Sequence, residues 1–425
     1  MNIWAMFIVF IFLLFIRVPI AFSLGVSALV YLVTSGMPFD IVAQKMYAGI
    51  DSFTLVCIPS FILAGNLMNT GGITKRIVAF CNVFVGHIRG ALAHINILAS
   101  VLFAGISGTA LADVASLGSM LIPAMKDEGY DADFSVAITA STSVVGPIIP
   151  PSVPMVIAGT LTNLSIAKLF VGGILPGIIL GLGFIIPTAF IANRRGYPKH
   201  EKVPFKEKIK IVRQVIWALI MPIILMVGIL SGLFTPTEAS IVTVLYAFIV
   251  GIFIYKEIKF KDIPKIFRDT VIASGSVIIL VGTANLFAWI LTNERIPQMI
   301  ASGILSITTN KILVILIMNI VLLFTGMFME SIAAIIIMIP VLLPVAVAVG
   351  MSPIHFSIMA ILNLMIGLVT PPVGLCLTTA AQIGKISMSR AIKANVPFFI
   401  VLFVVLMMVS YIPAITTFLP SLMSN

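Results

Sequence analysis

The chain has 425 residues, of which 60% are hydrophobic and only 9% charged, with a mean hydropathy of +1.21. This composition excludes a soluble protein and indicates an all-α polytopic membrane protein. The formal net charge is +10, but the basic residues lie between apolar runs. They therefore mark one face of a membrane, and no nucleic-acid partner is expected. The three cysteines have no metal or redox spacing.

Apolar runs long enough to cross a bilayer, at roughly 20 residues a span, follow one another along the chain. The segment around Pro38, Asp40 and Lys45 is predicted to be a loop. The predicted spans lie at about 3–16, 20–35, 52–69, 132–160, 168–192, 214–233, 238–255, 269–292, 355–382 and 391–418.

Two apolar stretches do not fit a single span. Between Arg89 and Lys126 lie 36 residues without a charge other than Asp113, too many for one span and slightly few for two. The middle of this stretch, 104–109, is rich in small residues that favour a turn. We therefore predict a re-entrant helical hairpin at about 90–125. A second hairpin is predicted at about 311–349, with its tip at 325–330.

Two further apolar runs are interrupted by prolines. In Gly146–Ser152, Pro147, Pro150 and Pro151 remove backbone donors, so a helix cannot pass through the segment intact. Unpaired carbonyl groups at membrane depth are tolerated only where they are buried in protein or line a cavity. A broken helix at about 132–160 therefore indicates a binding site. The alternative to a binding site, which applies best to a lone proline, is a helix that is only kinked for structural reasons.

The second interruption, Gly367–Val373, begins 221 residues after Gly146. The same offset relates Phe103–Gly105 to Phe324–Gly326, and Pro123 to Pro344. Coincident offsets over some 50 residues indicate an internal duplication. The predicted organisation is a first repeat at 1–192, an amphipathic cytoplasmic linker at 193–213 and a second repeat at 214–425. The second broken helix is predicted at about 355–382.

The distribution of basic residues predicts the orientation. If the first hairpin returns to its own side, 21 of the 25 Lys and Arg residues lie on the cytoplasmic side, and both termini are external. The two repeats are then inverted, in about ten spans plus two hairpins. Inverted repeats with broken helices are the architecture of secondary transporters. Segments 193–213 and 256–268 are predicted to be amphipathic helices on the lipid surface.

The tips and breaks supply carbonyl and hydroxyl oxygens, which are the ligands of hard cations. Few carboxylates accompany them, so two symmetric sodium sites are predicted. The alternative is that the glycines only allow close helix packing. The predicted sodium-site residues are Gly105, Ser107, Gly108, Gly146, Ile149, Ser152, Gly326, Gly367, Thr370 and Val373.

Asp113 and Glu330 are acidic residues at membrane depth, one in each hairpin. Such groups are costly and usually functional. Each either fixes a hairpin tip or shapes the substrate or ion site; a proton relay lacks further titratable partners. Two rival functions stay open at this point, a passive anion channel and an intramembrane serine protease using Ser107. The protease would need a base beside Ser107, and none of the four histidines lies there.

At these motifs the sequence resembles the large membrane (permease) subunit of the tripartite ATP-independent periplasmic (TRAP) transporters. The likeness runs nearly end to end. The matching segments are Arg17–Phe22, Gly105–Asp113, Gly146–Ser152, Phe234–Ala239 and Gly367–Gly374.

The resemblance implies a bacterial inner-membrane subunit and sodium-coupled uptake of an organic acid by an elevator motion. It also implies a small four-span membrane subunit, expected as a separate chain, and a periplasmic substrate-binding protein. Overall likeness favours sialic acid, with a C4-dicarboxylate next. No Arg or Lys lies mid-membrane to pair with the acid, so half-helix ends and hydroxyl groups are expected to serve. The predicted substrate-binding residues are Ser107, Thr109, Ser152, Thr325 and Glu330.

Overall fold

The structure, a computed structural model, describes residues 2–16 and 18–423. Arg17 and the side chains of Asn2, Ile106 and Ser107 lie outside this description. Throughout the described ranges every regular element is helical, which confirms the predicted all-α class.

The first half of the chain contains the elements that precede the long loop at 196–204. The helices are α1 (Asn2–Phe15), α2 (Ile20–Ser35), α3 (Asp40–Ile50), α4 (Cys57–Thr70), α5 (Ile73–Val85), α6 (Ala91–Ser107), α7 (Ala110–Asp113), α8 (Ser119–Asp127), α9 (Ala132–Thr142), α10 (Val153–Thr162) and α11 (Ile166–Arg195). A π-helical turn joins α7 to α8, and 3₁₀ turns precede α4 and follow α9.

The second half repeats the hairpin and the broken helix after four further helices. Its helices are α12 (Phe205–Leu230), α13 (Pro236–Ile249), α14 (Ile263–Asn293), α15 (Ile296–Ile307), α16 (Lys311–Phe328), α17 (Ser331–Ala348), α18 (Pro353–Gly367), α19 (Leu375–Gly384), α20 (Met388–Tyr411) and α21 (Ala414–Ser421).

Within the described residues, eight helical segments are long and apolar enough to cross a membrane. They include both arms of the second hairpin, so length alone does not separate a span from a hairpin arm. Large apolar side chains such as Trp4, Ile186 and Phe190 are more than half exposed on the outer surface. An apolar exterior of this extent suits contact with lipid.

Both predicted hairpins are present. In the first, α6 ends at Ser107, Gly108 takes a left-handed conformation (φ +63°), and α7 begins two residues later. In the second, α16 ends at Phe328 and α17 begins at Ser331, so the tip is Met329–Glu330, at the end of the predicted segment 325–330.

Both predicted breaks are present as well. α9 and its 3₁₀ turn end at Val145, and α10 begins at Val153, which leaves Gly146–Ser152 non-helical. α18 ends at Gly367 and α19 begins at Leu375. The Pro150–Pro151 and Pro371–Pro372 bonds are cis, at positions related by the repeat offset.

Five elements differ from expectation. The segment predicted to be a loop around Asp40 and Lys45 is helix α3, and the helices α5 and α15 were not foreseen. These helices are short and carry charges or prolines that break the apolar pattern. The linker 193–213 is not a separate surface helix, because α11 runs to Arg195 and α12 starts at Phe205. Likewise α14 already begins at Ile263, inside the predicted surface segment 256–268.

We divide the helices into two groups, with α5 packing on α6 and α15 on α17 across the boundary between them. α1–α5 and α12–α15 form one group, here called the framework, in which α4 packs on α13 and α14, and α14 on α2 and α3. α6–α11 and α16–α21 form the other, here called the hairpin bundle. Within it the repeats cross, since α9 packs on α19 and α10 on α17. Each half of the chain therefore contributes to both groups.

Candidate functional site

The first hairpin tip lies directly on the first break. A Cβ atom on Gly108 would lie 2.8 Å from the carbonyl oxygen of Pro151, so only glycine allows this approach. The amide of Val153 donates to the carbonyl of Gly108 at 3.4 Å. Gly105 is also buried here, with its Cβ position 3.6 Å from the carbonyl oxygen of Pro150 and 3.1 Å from Pro222 of the framework. Tip, break and framework thus meet at one place, here called the first junction.

Asp113 faces the start of the same break. Its carboxylate is buried, with 1% of the residue exposed, and a Cβ atom on Gly146 would lie 2.1 Å from its Oδ2 atom. Any side chain at position 146 would displace this carboxylate. The first junction therefore combines a non-helical backbone with a buried negative charge.

Ser152 has a structural role in the first break. Its hydroxyl donates to the carbonyl of Pro147 and accepts from the amide of Met155 at 3.2 Å, which makes it the N-cap of α10. A Ser N-cap satisfies one of the free amides at a helix start. The hydroxyl predicted as a ligand is thus used to hold the two sides of the break together. One lone pair of the Ser152 hydroxyl oxygen remains unused.

The second tip meets the second break in the same way. A Cβ atom on Gly367 would lie 2.3 Å from the carbonyl carbon of Gly326, and one on Gly326 would lie 3.0 Å from the carbonyl oxygen of Leu364. Backbone packs on backbone here, with no room for a side chain. We call this contact the second junction.

Several carbonyl groups at the junctions are available to a cation. The carbonyls of Gly146, Ile149 and Thr370 accept no hydrogen bond from any described residue, whereas Gly367 accepts from the amide of Thr370 and Val373 from the hydroxyl of Thr378. A carbonyl oxygen has two lone pairs, so the latter two keep one each. Five predicted sodium-site residues therefore present usable backbone oxygens.

The predicted hydroxyl ligands are less available. Thr325 donates to the carbonyl of Val321 one turn back on α16, at 2.9 Å, and Thr370 donates from the break to the carbonyl of Ile366 in α18, at 2.7 Å. Their oxygens can still accept. The side chain of Ser107, predicted for both sodium and substrate, is outside the described part of the structure.

A cavity of about 320 Å³ lies between the framework and the hairpin bundle. Thr109 of the first tip and Glu330 of the second tip both line it, and so do Pro147 and Leu368 of the two breaks. Four segments distant in sequence thus converge on one space. Two predicted substrate residues, Ser152 and Thr325, are absent from the described lining of this cavity.

Glu330 both caps a helix and lines the cavity. One carboxylate oxygen accepts from the amides of Ile332 (2.9 Å) and Ala333 (3.3 Å), and the other from the hydroxyl of Ser331 (2.8 Å). A carboxylate at a helix N-terminus is favoured by the dipole and by the free amides. The two roles that sequence reasoning left open, fixing the tip and shaping the site, therefore belong to one side chain.

The framework side of the cavity carries polar groups that sequence reasoning missed. Asn66 and Asn69 on α4 and Asp269 on α14 line it, and Ser116 lines it from the hairpin bundle. Ser116 donates to Oδ1 of Asn69 at 2.9 Å and lies 3.4 Å from the hydroxyl of Thr74. The sequence does carry one signal for these polar groups, because Asn66 and Asn69 lie one turn apart in an otherwise apolar span.

The cavity is lined without a basic side chain among its described residues. No group of three or more His, Cys, Asp or Glu side chains in the described ranges could hold a metal ion.

Helical repeats, broken helices and a mainly apolar cavity with a few polar groups at their meeting point are typical of a membrane transporter. A sequence model of the tripartite ATP-independent periplasmic transporter family, DctM component, matches residues 7–415. The chain therefore belongs to the DctM family of TRAP transporter components. Its relatives are transporter permeases, so it is not an enzyme, and the protease alternative is wrong.

Curated relatives match along nearly the whole chain. The sialic acid TRAP transporter large permease protein SiaM of Vibrio cholerae serotype O1 is 42% identical, over 96% of this chain and 96% of the relative. The C4-dicarboxylate TRAP transporter large permease protein DctM of the same organism is 36% identical, over 100% and 98%. The crystal structure of the Alcanivorax borkumensis YdaH transporter shares the fold, with a TM-score of 0.63 at 13% identity and 86% coverage of both chains.

Proposed function

We propose that this permease takes up an organic acid together with sodium ions, by movement of the hairpin bundle against the framework. Sialic acid is the favoured substrate because one sialic acid relative is 42% identical, against 36%, 38% and 35% for three C4-dicarboxylate relatives. A C4-dicarboxylate is the second candidate.

One sodium ion is assigned to each junction. At the first, the free carbonyls of Gly146 and Ile149 lie in the break that the tip glycines contact, and the nearby carboxylate of Asp113 adds a favourable charge. At the second, the carbonyls of Gly367, Thr370 and Val373 lie against Gly326 of the tip. Sodium bound to the carbonyls of a break would fix the shape of that break, and so favour the position of the tip that packs against it.

The acid is assigned to the cavity between the two tips. Thr109, Ser116, Asn66 and Asn69 supply hydroxyl and amide groups, which suit a substrate with several hydroxyls. Since Glu330 and Asp269 line the same cavity, the substrate anion needs a compensating charge. Two bound cations at the adjoining junctions supply it, which couples the binding of acid and sodium.

The two helix groups support a sliding motion. Among the contacts between described residues, the direct side-chain hydrogen bonds from framework helix to hairpin-bundle helix are those of Ser116 with Asn69 and Thr74. Within the hairpin bundle, by contrast, Asn96 bonds Thr139 and Thr142, and Asn319 bonds Asn363 and Ser410. Few polar contacts across the boundary and many within the bundle favour rigid-body movement.

The family implies the remaining assignments. We place the chain in the bacterial inner membrane with both termini periplasmic, in complex with a small four-span membrane subunit. A periplasmic binding protein would deliver the acid. The positive-inside distribution of 21 of 25 basic residues supports this orientation.

The observation that carries the proposal is that both hairpin tips and both breaks bound a single cavity. The test is uptake into proteoliposomes that contain this chain and its small subunit. A panel of acids is presented on the binding protein, with and without an inward sodium gradient. Sialic acid uptake is expected only with the gradient. Equal uptake without sodium would contradict the coupling, and fast unsaturable flux would favour the channel alternative.

A further inference from the structure

A second cavity, of about 560 Å³, opens as a groove between α11 and α20 on the hairpin bundle. Its walls and floor are mainly apolar. Pro187 and Phe190 lie on the α11 wall, Pro397 lies on the α20 wall, and the buried ring of Phe134 contributes to the floor. This groove is separate from the cavity between the tips, and neither sodium nor the acid is assigned to it.

Cationic side chains stand at one end of the groove, one on each wall. Arg194 lies in the last turn of α11, and Lys393 lies near the start of α20. Both are exposed, and neither makes a hydrogen bond or an ion pair with a residue that the structure describes. The groove therefore presents two cationic side chains, neither held in an ion pair, above an apolar floor.

The third cation at this end is already neutralised. Arg195 contacts the carboxylates of Asp131 at 2.7 Å and Asp133 at 3.6 Å. The hydroxyl of Tyr197 also donates to Asp131, at 2.7 Å. With Arg194 and Lys393 included, three cationic side chains stand against these two carboxylates, so this end of the groove keeps a net positive charge of one.

The position along α11 places these cations at the membrane interface. The helix has 30 residues, about 45 Å at 1.5 Å each, which exceeds the roughly 30 Å of hydrocarbon in a bilayer. Its last turn therefore lies at the level of the lipid headgroups. Phe190, one turn further in and 66% exposed, faces the acyl chains. Charge at the interface with an apolar slot below it matches the shape and polarity of a phospholipid.

We propose that this groove binds an anionic glycerophospholipid, with Arg194 and Lys393 contacting the headgroup phosphate and an acyl chain lying along Phe190 and Pro397. Basic pockets between transmembrane helices are suited to such headgroups. Because both walls belong to the hairpin bundle, the lipid moves with that bundle. This inference does not depend on the identity of the acid or on sodium coupling.

The test measures which lipid occupies the groove. In the full-length chain the native tryptophans Trp4, Trp217 and Trp289 are replaced by Phe, and Phe190→Trp supplies one reporter. Its fluorescence is measured in vesicles of dibrominated phosphatidylcholine and in mixtures with dibrominated phosphatidylglycerol. Phosphatidylglycerol is expected to quench more strongly at equal mole fraction. Equal quenching by the two lipids would overturn the proposal.

Removing the two groove charges tests whether the lipid preference comes from the groove or from the overall positive charge of the protein. The double variant Arg194→Gln, Lys393→Gln is expected to lower the preference for phosphatidylglycerol by up to about 25-fold, because each basic side chain contributes about fivefold. The matched control, Lys206→Gln with Lys210→Gln, removes the same charge from α12 and is expected to keep the preference. Unfolding temperatures of both variants verify folding. An unchanged preference in the first variant, or an equal loss in the control, would overturn the proposal.

Discussion

Gly326 and Gly367 touch through their backbones, since a Cβ atom on Gly367 would lie 2.3 Å from the carbonyl carbon of Gly326. The contact joins the arm of the second hairpin to the end of α18, where the helix stops. This separation is shorter than van der Waals contact, so even a methyl group on Gly367 must shift the backbone of one partner. The position of the tip over the break therefore depends on two missing side chains.

The first prediction concerns this contact. Gly367→Ala is expected to displace the tip and abolish sodium-stimulated uptake in proteoliposomes, because the carbonyls assigned to the second sodium ion separate. Gly303→Ala is the matched control, since Gly303 lies within helix α15 with nothing within 4 Å of its Cβ position. That control is expected to keep full uptake. Sodium stimulation that survives in Gly367→Ala would remove the second junction from the mechanism.

The second prediction concerns the charge of Asp113 beside Gly146. A unit charge within about 10 Å is worth roughly 1.7 kcal/mol at an effective dielectric constant near 20, or more than tenfold in affinity. Asp113→Asn keeps the shape and is expected to raise the sodium concentration for half-maximal uptake by at least about tenfold. Asp127→Asn, at the exposed end of α8, is the control. The same sodium dependence in both variants would show that Asp113 serves only the packing of the tip.

The third prediction separates the two roles of Glu330. Glu330→Gln keeps an acceptor oxygen for the amides of Ile332 and Ala333 but removes the charge from the cavity. Glu330→Ala also removes the cap, which costs about 1 kcal/mol. The alanine variant is therefore expected to unfold at a lower temperature, while the glutamine variant unfolds as the parent does and shows altered acid affinity. Identical affinity in the glutamine variant and the parent would limit Glu330 to capping.

The fourth prediction concerns the contact between the two helix groups. Ser116→Ala removes the hydrogen bond to Asn69, worth about 1 kcal/mol, and so weakens this arrangement about fivefold relative to others. Cysteine cross-linking between framework and hairpin bundle is expected to report a larger share of the alternative arrangement. Ser119→Ala, whose hydroxyl bonds only the nearby carbonyl of Ser116, is the control. Equal cross-linking in both variants would contradict a role for this contact.

The fifth prediction concerns pH. The hydrogen bond from Tyr197, followed by the contacts of Arg195, holds the pKa of Asp131 below its ordinary value. A lowered folded-state pKa contributes stability above the unfolded pKa of about 3.9, and this is lost as the pH falls through the folded pKa. Asp131→Asn is expected to lower the unfolding temperature slightly at pH 6, since an exposed pair contributes about 1 kcal/mol at most. Parent and variant are expected to converge below pH 4; a constant difference would exclude the ionised form as the cause.

The sequence predicted the breaks because proline leaves a local signature. Pro150 and Pro371 each belong to a pair of adjacent prolines, and the repeat offset related the two pairs without any tertiary information. Single prolines such as Pro187 lie inside helices instead. The glycines of the tips were predicted in the same way, from the local sequence and the repeat offset. Their partners were not, because Gly326 and Gly367 are 41 residues apart in the chain and meet only through the packing of α16 on α18.

Several of the residues that line the cavity could not be predicted from the sequence. Asn69, Ser116 and Asp269 lie on three helices that only the packing of framework on hairpin bundle brings together. Asp269 in particular resembles the charged edge of a span in sequence. The short helix α3 was missed for a related reason, since Asp40 and Lys45 interrupt its apolar pattern and its stability comes from packing on α14.

Distances measured by electron paramagnetic resonance test most directly whether the hairpin bundle moves as one body. Spin labels are placed at Lys385 and Lys259, across the two groups, and at Lys385 and Asp127, within the bundle, after replacement of the buried native cysteines. The chain is studied with its small subunit. Sodium with the acid is predicted to add a new distance for the first pair and to leave the second unchanged. A fixed first distance with a changed second distance would contradict the account.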